Sequence, residues 1–87
     1  MPAINSILYE QYLRQYLALA IRESDGTNRG IAERLGEIHP GGLFERHKDE
    51  KRRALQDARR AFDEHRHWPL DIVLSHLGIR LDELRRD

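Results

Sequence analysis

The chain has 87 residues, with 15 basic and 15 acidic side chains, no net charge and no cysteine. This length fits one domain with a small core, which a partner chain would help to stabilise. The absence of cysteine excludes disulfides and thiolate metal sites, and neutrality argues against binding of nucleic acid through overall positive charge. No segment approaches the roughly 20 apolar residues of a membrane helix, so we expect a cytoplasmic protein.

The first predicted helix covers residues 6–23. Apolar residues recur there every three or four positions, which places them on one face. Asn5 or Ser6 supplies an N-cap, and Asp25 and Gly26 end the helix. Three tyrosines lie on one side of it, either as core residues or as anchors for a partner protein, since tyrosine is enriched at interfaces: Tyr9, Tyr12 and Tyr16.

A short second helix follows, with Thr27 or Asn28 as its N-cap. Its apolar side is formed by Ile31, Ala32 and Leu35. We predict that Gly36 ends this helix in the left-handed conformation that glycine adopts easily. The next residues, 38–42, read IHPGG, which is typical of a turn.

The third predicted helix is the longest and runs from Leu43 to about Arg66. Alanines recur along one seam of it, at positions 54, 58 and 61, and would let another helix approach closely. Opposite charges three or four residues apart predict stabilising ion pairs. These pairs are Glu45 with Lys48, Asp49 with Arg53, Arg59 with Asp63, and Arg60 with Glu64.

Trp68 and Pro69 separate the third helix from a fourth. Proline suits the start of the new helix, which is nearly all apolar and should be the most buried, with Gly78 at its end. We expect Trp68 to fill the core at this junction rather than to form a surface hot spot. A short fifth helix carries Leu81 and Leu84. No strand pattern occurs, so the predicted fold is a small compact all-α domain of about five helices.

Residues 9–48 resemble the Fis-type helix-turn-helix, which is also found at the C-terminus of NtrC-like activators. Their sequence is YEQYLRQYLALAIRESDGTNRGIAERLGEIHPGGLFERHK. The shared pattern is a long helix, a glycine turn, a short helix ending in leucine and glycine, an isoleucine turn and a second helix with an early leucine. The matching residues are Gly26, Ala32, Leu35, Gly36, Ile38 and Leu43. The match is partial, because Glu37 is one extra residue, and Phe44 and Glu45 stand where the family has polar or basic side chains.

The resemblance implies a small dimeric regulatory protein that binds DNA. Since the core of one chain is small as well, we expect a homodimer formed through the first helix or through the alanine seam of the third. The predicted contacts from the second helix of the motif and its turn are His39, Arg46, Lys48 and Arg52, and those to phosphates at the start of the short helix are Thr27, Asn28 and Arg29. The alternative is an adaptor or inhibitor that binds another protein through Phe44 and the tyrosines. Phe44, Glu45 and the neutral charge favour this alternative.

A second segment, SHLGIRLDELRR at residues 75–86, repeats part of the pattern. Gly78, Ile79 and Leu84 follow the order of glycine, isoleucine and leucine found at Gly36, and a long and a short helix precede them. The single domain 1–87 could therefore consist of two helix-turn-helix-like units at about 6–48 and 52–87. The alternative is that leucine followed by glycine is simply a common way to end a helix.

The remaining candidate sites are weaker. Lys48, Arg52 and Arg59 fall on one side of the third helix and could follow a phosphate backbone, or they could belong to a solvated face with interleaved acids. No two histidines have the spacing of four that places both on one metal, so we expect no metal or other cofactor. No nucleophile motif is present, so we expect neither an enzyme nor a small-molecule substrate.

Overall fold

A computed structural model describes residues 4–40 and 46–85, and these residues form five α-helices and no strand. The helices are α1 (Ser6–Glu23), α2 (Asn28–Glu37), α3 (Lys48–Glu64), α4 (Leu70–His76) and α5 (Leu81–Leu84). The predicted all-α class is confirmed.

The first two helices begin at the capping residues that the sequence indicates. Asn5 Oδ1 accepts hydrogen bonds from the N–H groups two and three residues later, at 3.0 and 3.1 Å. Thr27 Oγ1 accepts one from the Gly30 N–H at 3.0 Å. The Thr27 hydroxyl donates in turn to Asp25 Oδ1 at 2.6 Å, and this bond holds the pKa of the Asp25 carboxyl below its usual value. These local bonds satisfy donors that a helix start leaves free.

Helix α3 is central because it packs against both α1 and α2. Its alanine seam is enclosed within the chain, with Ala54 and Ala58 at 0% exposure and Ala61 at 4%. The predicted close approach is therefore found, but the helices that approach the seam belong to the same chain. The seam is not available as the homodimer interface that the sequence suggested. The other buried apolar residues are Leu13, Leu17, Ala20, Ile31, Leu35, Leu55, Phe62, Val73, Leu74 and Ile79.

The predicted start of α3 at Leu43 is wrong. The helix begins at Lys48, and His47 has a left-handed φ of 60°. A helix that continued backwards through His47 would need a negative φ there. The predicted end at about Arg66 lies within two residues of the observed end at Glu64. Leu43 and Phe44 lie outside the described residues.

The two leucine–glycine pairs have different conformations. Gly78 has φ of 79° and follows α4, and the N–H of Ile79 donates to the carbonyl of Leu74 at 2.9 Å, as in a Schellman motif. Gly36, in contrast, lies within α2, which continues to Glu37. The prediction that Gly36 ends its helix is therefore wrong, whereas the one for Gly78 is confirmed.

The region around α4 is more exposed than predicted. Only Val73 and Leu74 are buried in this seven-residue helix, and Ile72 is 47% exposed. Trp68 is not the predicted core residue: it is 39% exposed, and its indole stacks on the imidazole of His65 with ring centroids 3.6 Å apart. A helix this short that packs on one side leaves its other side to solvent.

Candidate functional site

A groove of about 700 Å³ lies between the C-terminal end of α2 and helix α3. One side is formed by Gly36 and the segment 38–40, and the other by side chains of α3. Its apolar part consists of Ile38, Pro40 and Leu55. The charged and polar side chains that line it are His39, Arg52, Gln56, Arg59, Arg60, Asp63 and Glu64. The two carboxylates lie at the end of the groove next to the C-terminus of α3.

Helical spacing arranges three cations along the edge of α3 that faces the groove. Lys48, Arg52 and Arg59 are separated by four and seven residues, which places them on one side of a helix. At 1.5 Å per residue this row, here called the basic edge, extends over about 16 Å. Arg52 and Arg59 are exposed and Lys48 is half-buried. The predicted one-sided arrangement of these three residues is therefore found.

The cations of the groove have no carboxylate partner among the described residues. Neither Arg59 with Asp63 nor Arg60 with Glu64 forms the ion pair that the spacing predicted, whereas Arg53 pairs with Asp57 at 3.7 Å in place of Asp49. Ion pairs also occupy arginines outside the groove, namely Arg14, Arg29, Arg34 and Arg80. The groove therefore combines three arginines that form no ion pair among the described residues with two carboxylates, Asp63 and Glu64.

The Arg59 side chain lies close to Gly36. A Cβ atom built on Gly36 would lie 3.8 Å from Arg59 Nη2, so the guanidinium group passes close over the last turn of α2. The C-terminal end of a helix carries partial negative charge, which favours a cation at this place. The position of Arg59 thus depends on the packing of α2 against α3.

The predicted DNA contacts separate into two groups in the structure. His39 and Arg52 line the groove at the C-terminal end of α2, and Lys48 lies on the basic edge. Arg46 is exposed in the turn before α3. Thr27, Asn28 and Arg29 lie at the opposite end of α2, about 15 Å away along a helix of ten residues. The structure therefore does not combine the seven residues into one surface.

The three residues at the N-terminal end of α2 have structural roles. The Thr27 hydroxyl caps α2, and Arg29 pairs with Glu33 at 3.4 Å. Asn28 is buried, and its amide donates to the carbonyl of Trp68 at 2.7 Å and to those of residues 65 and 66 at 3.3 and 3.4 Å. The Asn28 amide is thus used to hold the segment that follows α3.

The tyrosines predicted to bind a partner pack between α1 and α3 and are half-buried. The Tyr9 hydroxyl donates to Asp57 Oδ2 at 2.6 Å. Burial and this bond raise the pKa of Tyr9 well above its usual value. The rings of Tyr12 and Tyr16 stack with centroids 6.2 Å apart, and Lys51 Nζ lies 5.3 Å from the Tyr12 centroid. Much of the surface of these three side chains is therefore covered by other residues of the same chain. Phe44, the fourth predicted anchor, lies outside the described residues.

Two features were missed by reasoning from the sequence. Arg60 lines the groove although its predicted ion pair with Glu64 suggested a neutral surface. His76 lies against both Trp68 and His65, with ring centroids 5.8 and 5.1 Å apart, although eleven residues separate the two histidines. The spacing of Arg60 gave no signal, because residues one apart do not share a side of a helix, and nothing in the sequence pairs His76 with His65.

The part of the chain that the structure describes contains no cluster of three or more histidine or acidic side chains able to hold a metal ion. No helix in residues 4–40 or 46–85 has the length and apolar character to cross a membrane. Comparisons with protein-family models, with curated proteins and with solved structures found no match. The class that the fold defines is a small all-α domain with a groove lined by arginines and carboxylates.

Proposed function

We propose that the protein is a small regulatory protein that binds DNA, with the basic edge and Arg60 as its phosphate contacts. The observation that supports this most is the lack of carboxylate partners for these four cations among the described residues. Unpaired cations on one surface attract an anionic ligand, and release of counterions from DNA drives such binding. His39 lines the same groove, and Arg46 is exposed in the turn before α3.

The expected salt dependence follows from the number of contacts. Four phosphate contacts give a slope of log K against log salt of about −3.6, since each contributes roughly 0.9. Affinity should then fall about 150-fold between 50 and 200 mM salt. Fluorescence anisotropy with a labelled duplex measures this slope. A protein that does not bind duplex at 50 mM salt would refute the proposal.

Alanine variants locate the contacts. Arg52→Ala and Arg59→Ala should each reduce the slope by about 1. Arg80→Ala is the matched control, because Arg80 is an exposed arginine outside the groove that pairs with Asp82. Arg29→Ala tests the second predicted contact surface at the start of α2. An equal loss of slope for Arg52→Ala and Arg80→Ala would contradict the assignment of the groove.

A second candidate function is binding of an acidic protein, as an adaptor or inhibitor. It is favoured by the apolar residues Ile38, Pro40 and Leu55 in the same groove, because a phosphate backbone gains nothing from apolar contact. An amphipathic helical peptide of glutamate and leucine is a suitable probe. Peptide binding that depends on Arg52, without any duplex binding, would replace the first proposal with this one.

We also propose a homodimer through α1. Ile4 and Ile7 at its N-terminal end are 38% and 68% exposed, and two such surfaces would bury each other. Sedimentation velocity should show a dimer that Ile7→Lys dissociates. Ile72→Lys is the control, since Ile72 is also exposed but lies on α4. A monomer at all protein concentrations would refute the dimer.

A further inference from the structure

We infer that α1 packs against α1 of a second copy of this chain in the antiparallel direction, so that Ile7 of each subunit contacts Leu19 of the partner subunit. This inference rests on the homodimer proposed above and specifies its geometry. Three features of the outward face of α1 support it: its lack of charge, the order of large, small and polar side chains along it, and the place of its one charged residue.

The outward face of α1, opposite the buried Leu13 and Leu17, is uncharged over most of its length. Successive residues of a helix are about 100° apart, so six residues share an arc of about 120°: Ile7, Leu8, Gln11, Gln15, Ala18 and Leu19. Ile7 and the two glutamines are exposed, and the other three are half-buried. Arg14 flanks the face, but its guanidinium group pairs with Glu83 of α5 at 3.2 Å. In a chain of which 34% of residues are charged, such a face suits a second uncharged helix better than a charged partner.

The order of residues along this face makes it complementary to itself. When two copies of α1 cross at position 13 in opposite directions, the opposed residues are Ile7 and Leu19, Leu8 and Ala18, and Gln11 and Gln15. The small side chain of Ala18 thus meets the larger Leu8, which keeps the distance between the helices even. A glutamine amide both donates and accepts, so Gln11 can form hydrogen bonds with Gln15 of the partner subunit. Two-fold symmetry makes each of these contacts twice.

A parallel pair of helices fits this face less well, because each residue would then lie opposite the same residue of the partner. Leu8 against Leu8 would hold the helices apart where Ala18 against Ala18 needs them close, since the side chains at a contact set the distance between helices. Arg22 is exposed and lies on the same face, one turn after Ala18. A parallel pair brings its two copies together, and like charges repel. The antiparallel pair separates them by about 27 Å, at opposite ends of the interface.

Disulfide cross-linking tests the direction of packing, because the chain has no cysteine of its own. A mixture of Ile7→Cys and Leu19→Cys should form a covalent dimer under mild oxidation, seen on a non-reducing gel, at a rate about tenfold above that of either variant alone. In the antiparallel pair the two copies of residue 7 lie about 18 Å apart, beyond the reach of a disulfide. Ile72→Cys mixed with Leu19→Cys is the control for chance collision, since Ile72 is exposed on α4. None of these positions is buried, so the variants should fold, which circular dichroism checks.

The outcomes separate this inference from the homodimer on which it rests. Cross-linking of Ile7→Cys alone as fast as in the mixture would show parallel packing and overturn the inference, while the homodimer stands. A dimer in sedimentation velocity whose mixture cross-links no faster than the Ile72→Cys control would place the interface elsewhere and overturn the inference as well. A monomer at all protein concentrations would overturn the proposed homodimer itself.

Discussion

Replacing the glycine of each leucine–glycine pair by alanine should have opposite effects on the stability of the fold. Gly78 has φ of 79°, and a Cβ there would meet no atom within 4 Å, so Gly78→Ala suffers backbone strain alone. The left-handed conformation costs an alanine roughly 1–2 kcal/mol, partly offset by the lower entropy of its unfolded chain. The net loss is about 1 kcal/mol. Gly36 is helical, and its added Cβ would make ordinary contact with Arg59. Gly36→Ala should therefore stabilise the fold by about 0.5–1 kcal/mol.

Thermal and urea denaturation measure both effects. For a domain of this size about 1 kcal/mol shifts Tm by roughly 4–8 °C, so the two variants should differ clearly. Gly26→Ala is the matched control for the strained case, because Gly26 has φ of 88° and no atom within 4 Å of an added Cβ. A loss of stability in Gly36→Ala equal to that in Gly78→Ala would refute the helical assignment of Gly36 and the reasoning from it.

Three further predictions test the contacts that hold α3 in place. Asn28→Ala should lower the free energy of unfolding by about 1–3 kcal/mol, because three carbonyls lose their donor; urea denaturation measures this, and a neutral effect would contradict it. Tyr9→Phe removes a bond to Asp57. Since the folded protein raises the pKa of Tyr9, its contribution is full below pH of about 10 and is lost as pH rises further. The stability difference between the parent and Tyr9→Phe should thus shrink in alkali, and a constant difference would be inconsistent with this linkage. His65→Ala uncovers one face of the single tryptophan, Trp68, so fluorescence emission should shift to longer wavelength; an unchanged spectrum would argue against the stacking.

Helix existence was predictable from the sequence, and helix boundaries only where a local signal is strong. Asn5 and Thr27 cap their helices through bonds to residues two and three positions later, and such bonds are visible in a sequence. The start of α3 is different. Nothing between Leu43 and Lys48 interrupts the helical pattern of side chains, and the left-handed φ of His47 appears only in the structure.

The candidate site was predictable in part. The spacing of Lys48, Arg52 and Arg59 places them on one side of a helix whatever the helix packs against. The spacing does not determine whether Arg59 and Arg60 form ion pairs with the acids one turn later. A surface ion pair contributes little free energy and competes with other contacts of the same side chains. The inclusion of Thr27, Asn28 and Arg29 came from the resemblance, and the structure places them at the other end of α2.

The sequence by itself determined the all-α class, five helices, two capped helix starts and the glycine at the end of α4. These features depend on residues within one or two turns of each other, so local chemistry suffices. Tertiary structure alone decided that α3 is central, that its alanines face inward and that Trp68 stays at the surface. It also created the groove, because that groove exists only where the end of α2 lies beside α3, and such a placement depends on how whole helices bury their apolar faces together.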